Sequence, residues 1–125
     1  QADKGLKNNE AVVKDGGDLI LCAKLGGGVG PDRFLQFLAD GPGDDYVLGD
    51  HKAIRWRALE ARGVRIRIAS PDLDPAAVAG AGLELHPSLK AALDAIRADD
   101  RGARGVGLVV QDAGYVVTEV APGRA

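Results

Sequence analysis

The chain alternates between segments with helical hydrophobic spacing and short apolar runs. From Ala2 to Lys14, Ala2, Leu6 and Val13 share one face and Gln1, Lys4 and Asn8 the opposite one, at i, i+3 and i+7. This spacing predicts an amphipathic helix that stops at Asp15-Gly16-Gly17, where a glycine can adopt the left-handed closing conformation. Leu19-Ile20-Leu21-Cys22-Ala23 reads as a strand covered on both faces, the expected centre of a parallel sheet. A glycine loop from Leu25 to Pro31 leads to a short helix capped by Asp32, with Phe34, Phe37 and Leu38 at helical spacing.

Asp40 to Asp45 is a surface turn, and Gly49-Asp50 opens a helix to about Arg62 that Gly63 closes. Within it Ile54, Ala58 and Ala61 lie on one side and Trp56 and Leu59 nearly opposite. Two apolar sides need two partners, so Trp56 and Leu59 are expected to meet a region outside this chain. Val64, Ile66 and Ile68 alternate with Arg65 and Arg67, predicting a half-buried strand near an edge with a solvated basic face. Ser70 to Pro75 is a loop and Ala76 to Ala79 a short helix. Pro87 stands at N1 of a helix carrying Leu89, Ala92, Leu93 and Ile96. Val106 to Val110 reads as a buried strand, and Tyr115 to Val120 can return beside it through Asp112-Ala113-Gly114. Alternating helices and strands predict an α/β fold, a Rossmann-like three-layer sandwich. Its sheet is mostly parallel with helices on both faces, and an antiparallel strand can close one edge.

A length of 125 residues, 46% hydrophobic, fits one domain with one core. Sixteen basic residues against 18 acidic make no strong field, which argues against nucleic-acid and membrane partners. The single Cys22 excludes an internal disulfide, and two histidines are too few for a zinc-type cluster. Neither an apolar run of about 18 residues nor a signal-peptide pattern is present. The chain contains no Met and opens on helix-compatible residues, so it is expected to be a piece of a longer protein.

Ligand sites of open α/β sheets lie outside the carboxyl ends of the strands. Three features can occupy that edge. The glycines of Gly26-Gly27-Gly28-Val29-Gly30 either make a tight turn or let backbone N–H groups, Gly28 and Gly30 among them, approach an anion. At Leu48-Gly49-Asp50-His51-Lys52-Ala53, Asp50 can cap the helix while His51 and Lys52 move a proton or hold an anion. On the first helix, Gln1, Lys4 and Asn8 form either a wet face or a polar wall in which Lys4 and Gln1 orient a carboxylate and a neighbouring hydroxyl or carbonyl. His86 reads as a helix-entry residue and Cys22 as a small core residue.

Taken in order, Gln1-x-x-Lys4, VVKDGGDLILCAKLGGGVG, DRFLQFL, LGDHKA and SLKAALDA resemble the C-terminal domain of the nickel-dependent lactate racemase family, whose members are 2-hydroxyacid racemases and epimerases. The resemblance covers nearly the whole chain and rests on the order and spacing of several motifs. It implies a cytoplasmic two-domain isomerase with its active site between an N-terminal catalytic domain and this C-terminal one. The implied cofactor is a nickel pincer nucleotide bound mainly by the N-terminal domain. It takes hydride from the α-carbon of a small 2-hydroxy acid and returns it to either face of a planar 2-keto acid. Gln1 and Lys4 match the family's Gln-x-x-Lys at the substrate end of the cleft. Asn8, Gly28, Gly30, His51 and Lys52 remain candidates for the substrate or cofactor cleft on their own chemistry, since the resemblance gives the glycine loop and LGDHKA no catalytic role, and this chain would supply no metal ligand.

One departure is the short DGPGDD connection from Asp40 to Asp45, where the family pattern implies a longer, partly helical one. The cofactor-bearing lysine, nickel-ligand histidine and paired proton-transfer histidines implied by the resemblance have no counterpart, so the fragment alone is expected to be inactive. Two other readings fit the residues. One is a Rossmann-like nucleotide-binding module using the Gly26 to Gly30 loop, and the other a structural or dimerisation domain.

Overall fold

Apolar strands with amphipathic helices laid against them make up the structure, a computed structural model that describes residues 2–25, 32–41, 50–99, 107–111 and 113–121. The elements are α1 (Ala2–Asn9), β1 (Asp18–Cys22), α2 (Asp32–Asp40), α3 (His51–Ala61), β2 (Arg65–Ala69), α4 (Pro75–Val78), β3 (Glu84–His86) and α5 (Leu89–Ala98). The three strands form one sheet in the order β1-β2-β3, every pairing parallel. Alternating helices and strands thus give the expected α/β architecture.

Strand register divides the sheet into two unlike faces. Leu19 pairs with Ile66, and Leu21 with Ile68, which pairs in turn with Leu85. This face carries the main core, where Ile66 and Ile68 join Leu6 of α1, Phe37 and Leu38 of α2, Trp56 and Leu59 of α3, and Val78 of α4. On the opposite face Asp18 pairs with Arg65, and Arg67 with Glu84. α5 packs against all three strands on that side, with Ala92 fully buried and Asp99 paired to Arg65.

Sequence spacing places most elements correctly, and the differences have local causes. The expected helix from Ala2 to Lys14 ends at Asn9 and continues as a 3-10 turn over Glu10–Val12. Asn9 turns its side-chain amide onto the backbone carbonyl of Gly5, a competing bond of the kind that shortens helices. Gly63, at φ 77°, closes α3 as expected, whereas Gly16, at φ 73°, turns the chain beyond the earlier helix end rather than closing the helix. They also back onto each other, since a Cβ on Gly63 would stand 3.4 Å from the Gly16 backbone.

Strand positions differ more. β1, expected at the centre, lies at an edge of the described sheet, and β2, expected near an edge, is central. Arg67 is 1% exposed rather than solvated, because carboxylates from both neighbouring strands accompany it into the interior. Trp56 and Leu59, at 6% and 2% exposure, are buried within this chain, which overturns their expected role as an outward face. Trp56 meets the Phe34 ring edge to face, with centroids 6.1 Å apart. The side left outward is that of Ile54, 48% exposed, with Ala58 and Ala61.

β3 was not expected, because a three-residue strand carries too little alternation to be read. Pro87 precedes α5 rather than opening it. Ser88 is the cap, its hydroxyl accepting from the Ala91 N–H at 3.1 Å. The expected Ala76 to Ala79 helix appears as α4 followed by a 3-10 turn over Ala79–Ala81. No strand forms within 107–111 or 113–121, and Val106 lies outside the described residues. The expected antiparallel return is therefore absent from the described sheet, and the Thr118 N–H bonds instead to the Asn8 carbonyl at 3.2 Å. Among the described residues no helix is long and apolar enough to cross a membrane.

Candidate functional site

Short connections orient the helices. α3 is joined to the amino end of β2 through Arg62, Gly63 and Val64, so its first turn, with His51 and Lys52, faces the carboxyl edge of the sheet. α1 runs alongside in the same sense. Arg55 of α3 reaches Asp3 at 3.5 Å and Glu10 at 3.6 Å, while Arg62 at the end of α3 donates to the backbone carbonyls of Glu10 and Val13. The first turn of α1 therefore lies toward that same carboxyl edge, and Lys4 is exposed there.

Lys4, His51 and Lys52, three of the residues singled out by sequence, thus stand in first turns at the same edge of the sheet. His51 also borders a groove of about 440 Å3 between α3 and the Glu10–Val12 turn, with Ile54, Ala58, Glu10, Arg55 and Arg62. Gln1, Gly28 and Gly30 lie outside the described residues, as does the whole Gly26 to Gly30 loop. Asn8 is half-buried, and its amide donates to the Gly114 carbonyl at 3.2 Å, which commits it to holding the chain rather than lining open space.

Asp50 departs from its expected role. It is the residue ahead of α3, yet its side chain makes no capping hydrogen bond. It is buried and accepts from Arg33 Nε and Nη2 of α2, both at 2.8 Å. A two-bond guanidinium fork satisfies a buried carboxylate more fully than one backbone N–H would.

Cys22 also departs from expectation. It is exposed at the carboxyl end of β1 instead of filling the core. Partial burial of its thiol still raises the pKa, so the local setting favours the neutral thiol over a nucleophilic thiolate. Two residues along the sheet lies an array that spacing alone does not reveal. Arg67 donates to Asp18 on β1 and to Glu84 on β3 at 3.1 Å, and Glu84 Oε1 lies 3.2 Å from Nε2 of His86. His86 is thus the last residue of β3 in a charge-linked row, not merely a helix-entry residue. The available signal was Glu84 and His86 at i and i+2, which a strand puts on one face. Ser70, just past β2, is buried and accepts the Leu25 N–H at 3.3 Å, fixing the chain as it leaves β1.

Among the described residues, no group of three or more His, Cys, Asp or Glu side chains converges to hold a metal ion. No family model, curated protein or solved structure matches this chain.

Proposed function

We propose that this domain forms the substrate-side wall of the active-site cleft in a 2-hydroxyacid racemase or epimerase of the nickel-dependent lactate racemase type. An N-terminal catalytic domain of the same protein would complete the cleft. The observation that carries this reading is the exposed Lys4 in the first turn of α1, at the carboxyl edge where open α/β sheets bind their ligands.

Within the cleft the Lys4 ammonium holds the substrate carboxylate or the oxygen that becomes a ketone, an electrostatic contact that is strengthened where water is excluded. Gln1 supplies an amide donor and acceptor to the adjacent oxygen. His51 and Lys52 share the edge and add cationic or proton-exchanging groups at its far side. A nickel pincer nucleotide, when bound, supplies the hydride acceptor. On this reading the N-terminal domain anchors the cofactor, and the chain alone does not catalyse.

The test is to express the full-length gene product with the cofactor-synthesis proteins, then measure intact mass, nickel content and racemisation of L-lactate. A nickel-containing adduct together with D-lactate formation is the expected result. An unmodified, nickel-free protein that binds adenine nucleotides saturably would overturn it in favour of a nucleotide-binding module.

A further inference from the structure

Two consecutive asparagines at the end of α1 hold a distant part of the chain beside Lys4. The Asn9 amide, in a residue only 9% exposed, donates to the carbonyls of Gly5 at 2.9 Å, Ala113 at 3.2 Å and Val116 at 3.0 Å. The Asn8 amide donates to the Gly114 carbonyl, and the Thr118 N–H returns a bond to the Asn8 carbonyl, each at 3.2 Å. Apolar burial contributes little here, because Tyr115 and Val117 point largely into solvent. Directional bonds from Asn8 and Asn9 therefore set where the segment lies.

The segment crosses α1 at close range. A Cβ on Gly5 would stand 3.2 Å from the Ala113 Cβ, tighter than ordinary contact, so glycine permits the approach. One turn before Asn8, the Lys4 stem is next to Gly114, where an added Cβ would stand 3.9 Å from the Lys4 Cβ. The backbone at Gly114 thus forms one wall for a lysine that is otherwise free to sample many rotamers.

We infer that Asn8 and Asn9 are positioning residues for Lys4. They clamp 113–118 across α1 so that Gly114 limits the directions available to the ammonium. A pre-oriented side chain loses less entropy when it engages a carboxylate, which is how such a clamp contributes to binding. The inference rests on the reading of Lys4 as the carboxylate-binding residue.

The experiment follows the Lys4 Nζ resonance by 15N NMR in the full-length protein, titrated with L-lactate, alongside hydrogen exchange of the α1 amides. Wild type is compared with Asn9→Ala and Gly114→Val, and Trp56 fluorescence checks that the core is intact. In Asn9→Ala, α1 protection is expected to fall about tenfold, the scale for losing a buried hydrogen-bonded group. The lactate response of Lys4 should weaken at least about threefold, as orientation is lost before binding. Gly114→Val keeps the asparagine bonds but crowds the lysine stem. It should change the Lys4 response without loss of protection, which a purely structural role for the segment would not produce. A lactate response of Lys4 that is unchanged in both variants overturns the positioning role. A wild-type Lys4 that ignores lactate while the clamp alters α1 protection overturns the carboxylate reading instead.

Discussion

Asp50 and Arg33 face each other in a two-bond fork, with Arg33 Nε and Nη2 each 2.8 Å from a separate carboxylate oxygen of Asp50. The fork joins the start of α3 to α2, and its carboxylate is buried while its guanidinium is partly exposed. Removing the arginine leaves a buried anion without its main counter-charge. Arg33→Ala is therefore expected to destabilise the fold by about 1–3 kcal/mol, below the cost for a fully buried pair because water reaches the guanidinium. Arg57→Ala, which breaks an exposed pair with Glu60, should cost no more than about 0.5 kcal/mol. Urea unfolding followed by Trp56 fluorescence checks both, and equal losses would remove any special role for the fork.

Arg67 extends the same logic to the centre of the sheet. Its guanidinium is buried between Asp18 and Glu84, so truncation removes the cation that ties β1 and β3 to the central strand and leaves a gap where the arginine packed. Arg67→Ala is expected to cost about 3–5 kcal/mol. Asp18→Asn should cost less, because Glu84 still accompanies the arginine. The two midpoints in a urea series give the order directly, and a milder Arg67→Ala would show that the array does not anchor the sheet.

These two residues also mark where sequence reading stops. Most helix positions, the glycine closure at Gly63 and the α/β alternation follow from local periodicity and turn chemistry, which are written in neighbouring residues. The central position of β2 is not, because an Arg-x-Arg alternation looks identical whether the arginines meet water or carboxylates from adjacent strands. Asp18 and Glu84 lie far from Arg67 in sequence, and only strand order brings them beside it. Lys4, His51 and Lys52 were legible as ionisable residues at helix starts, and the topology adds that those starts share an edge. Asn9 was missed because a polar residue within an expected Ala2 to Lys14 helix reads as part of a solvated face until its distant acceptors are known.

The inner and outer sides of α3 separate two substitutions of similar chemistry. Leu59 is almost fully buried against the core, and Leu59→Ala is expected to cost about 2–5 kcal/mol through lost burial and the cavity left behind. Ile54 faces outward, so Ile54→Lys should change stability by less than about 0.5 kcal/mol. Thermal unfolding of the two variants measures the contrast. A large loss at Ile54 would mean that its side of α3 is covered in solution.

Cys22 gives a pH-dependent readout. Its thiol pKa is raised by burial, so the folded state holds the thiol proton more tightly than the unfolded chain does. For a group with a raised folded-state pKa, the linked stability is present below the unfolded value and is lost as pH rises through the folded one. Alkylation by iodoacetamide should accordingly be slower in native protein than in urea at the same pH, with the native rate profile moved to higher pH. Coincident native and denatured profiles would contradict the desolvation of this thiol.

Lys4 carries the functional reading, and its removal has a distinct kinetic signature. In the full-length enzyme loaded with cofactor, Lys4→Ala is expected to lower kcat/KM at least about 100-fold, the scale of losing one transition-state electrostatic contact. Lys4→Arg keeps the positive charge but replaces a compact ammonium with a longer planar fork, so it should recover binding more fully than turnover. A loss confined to KM assigns Lys4 to ground-state carboxylate binding, whereas equal losses in kcat and kcat/KM assign it to charge that develops during reaction. Near-wild-type activity of Lys4→Ala removes this residue from the mechanism and leaves His51 and Lys52 as the cationic groups at the same edge to test.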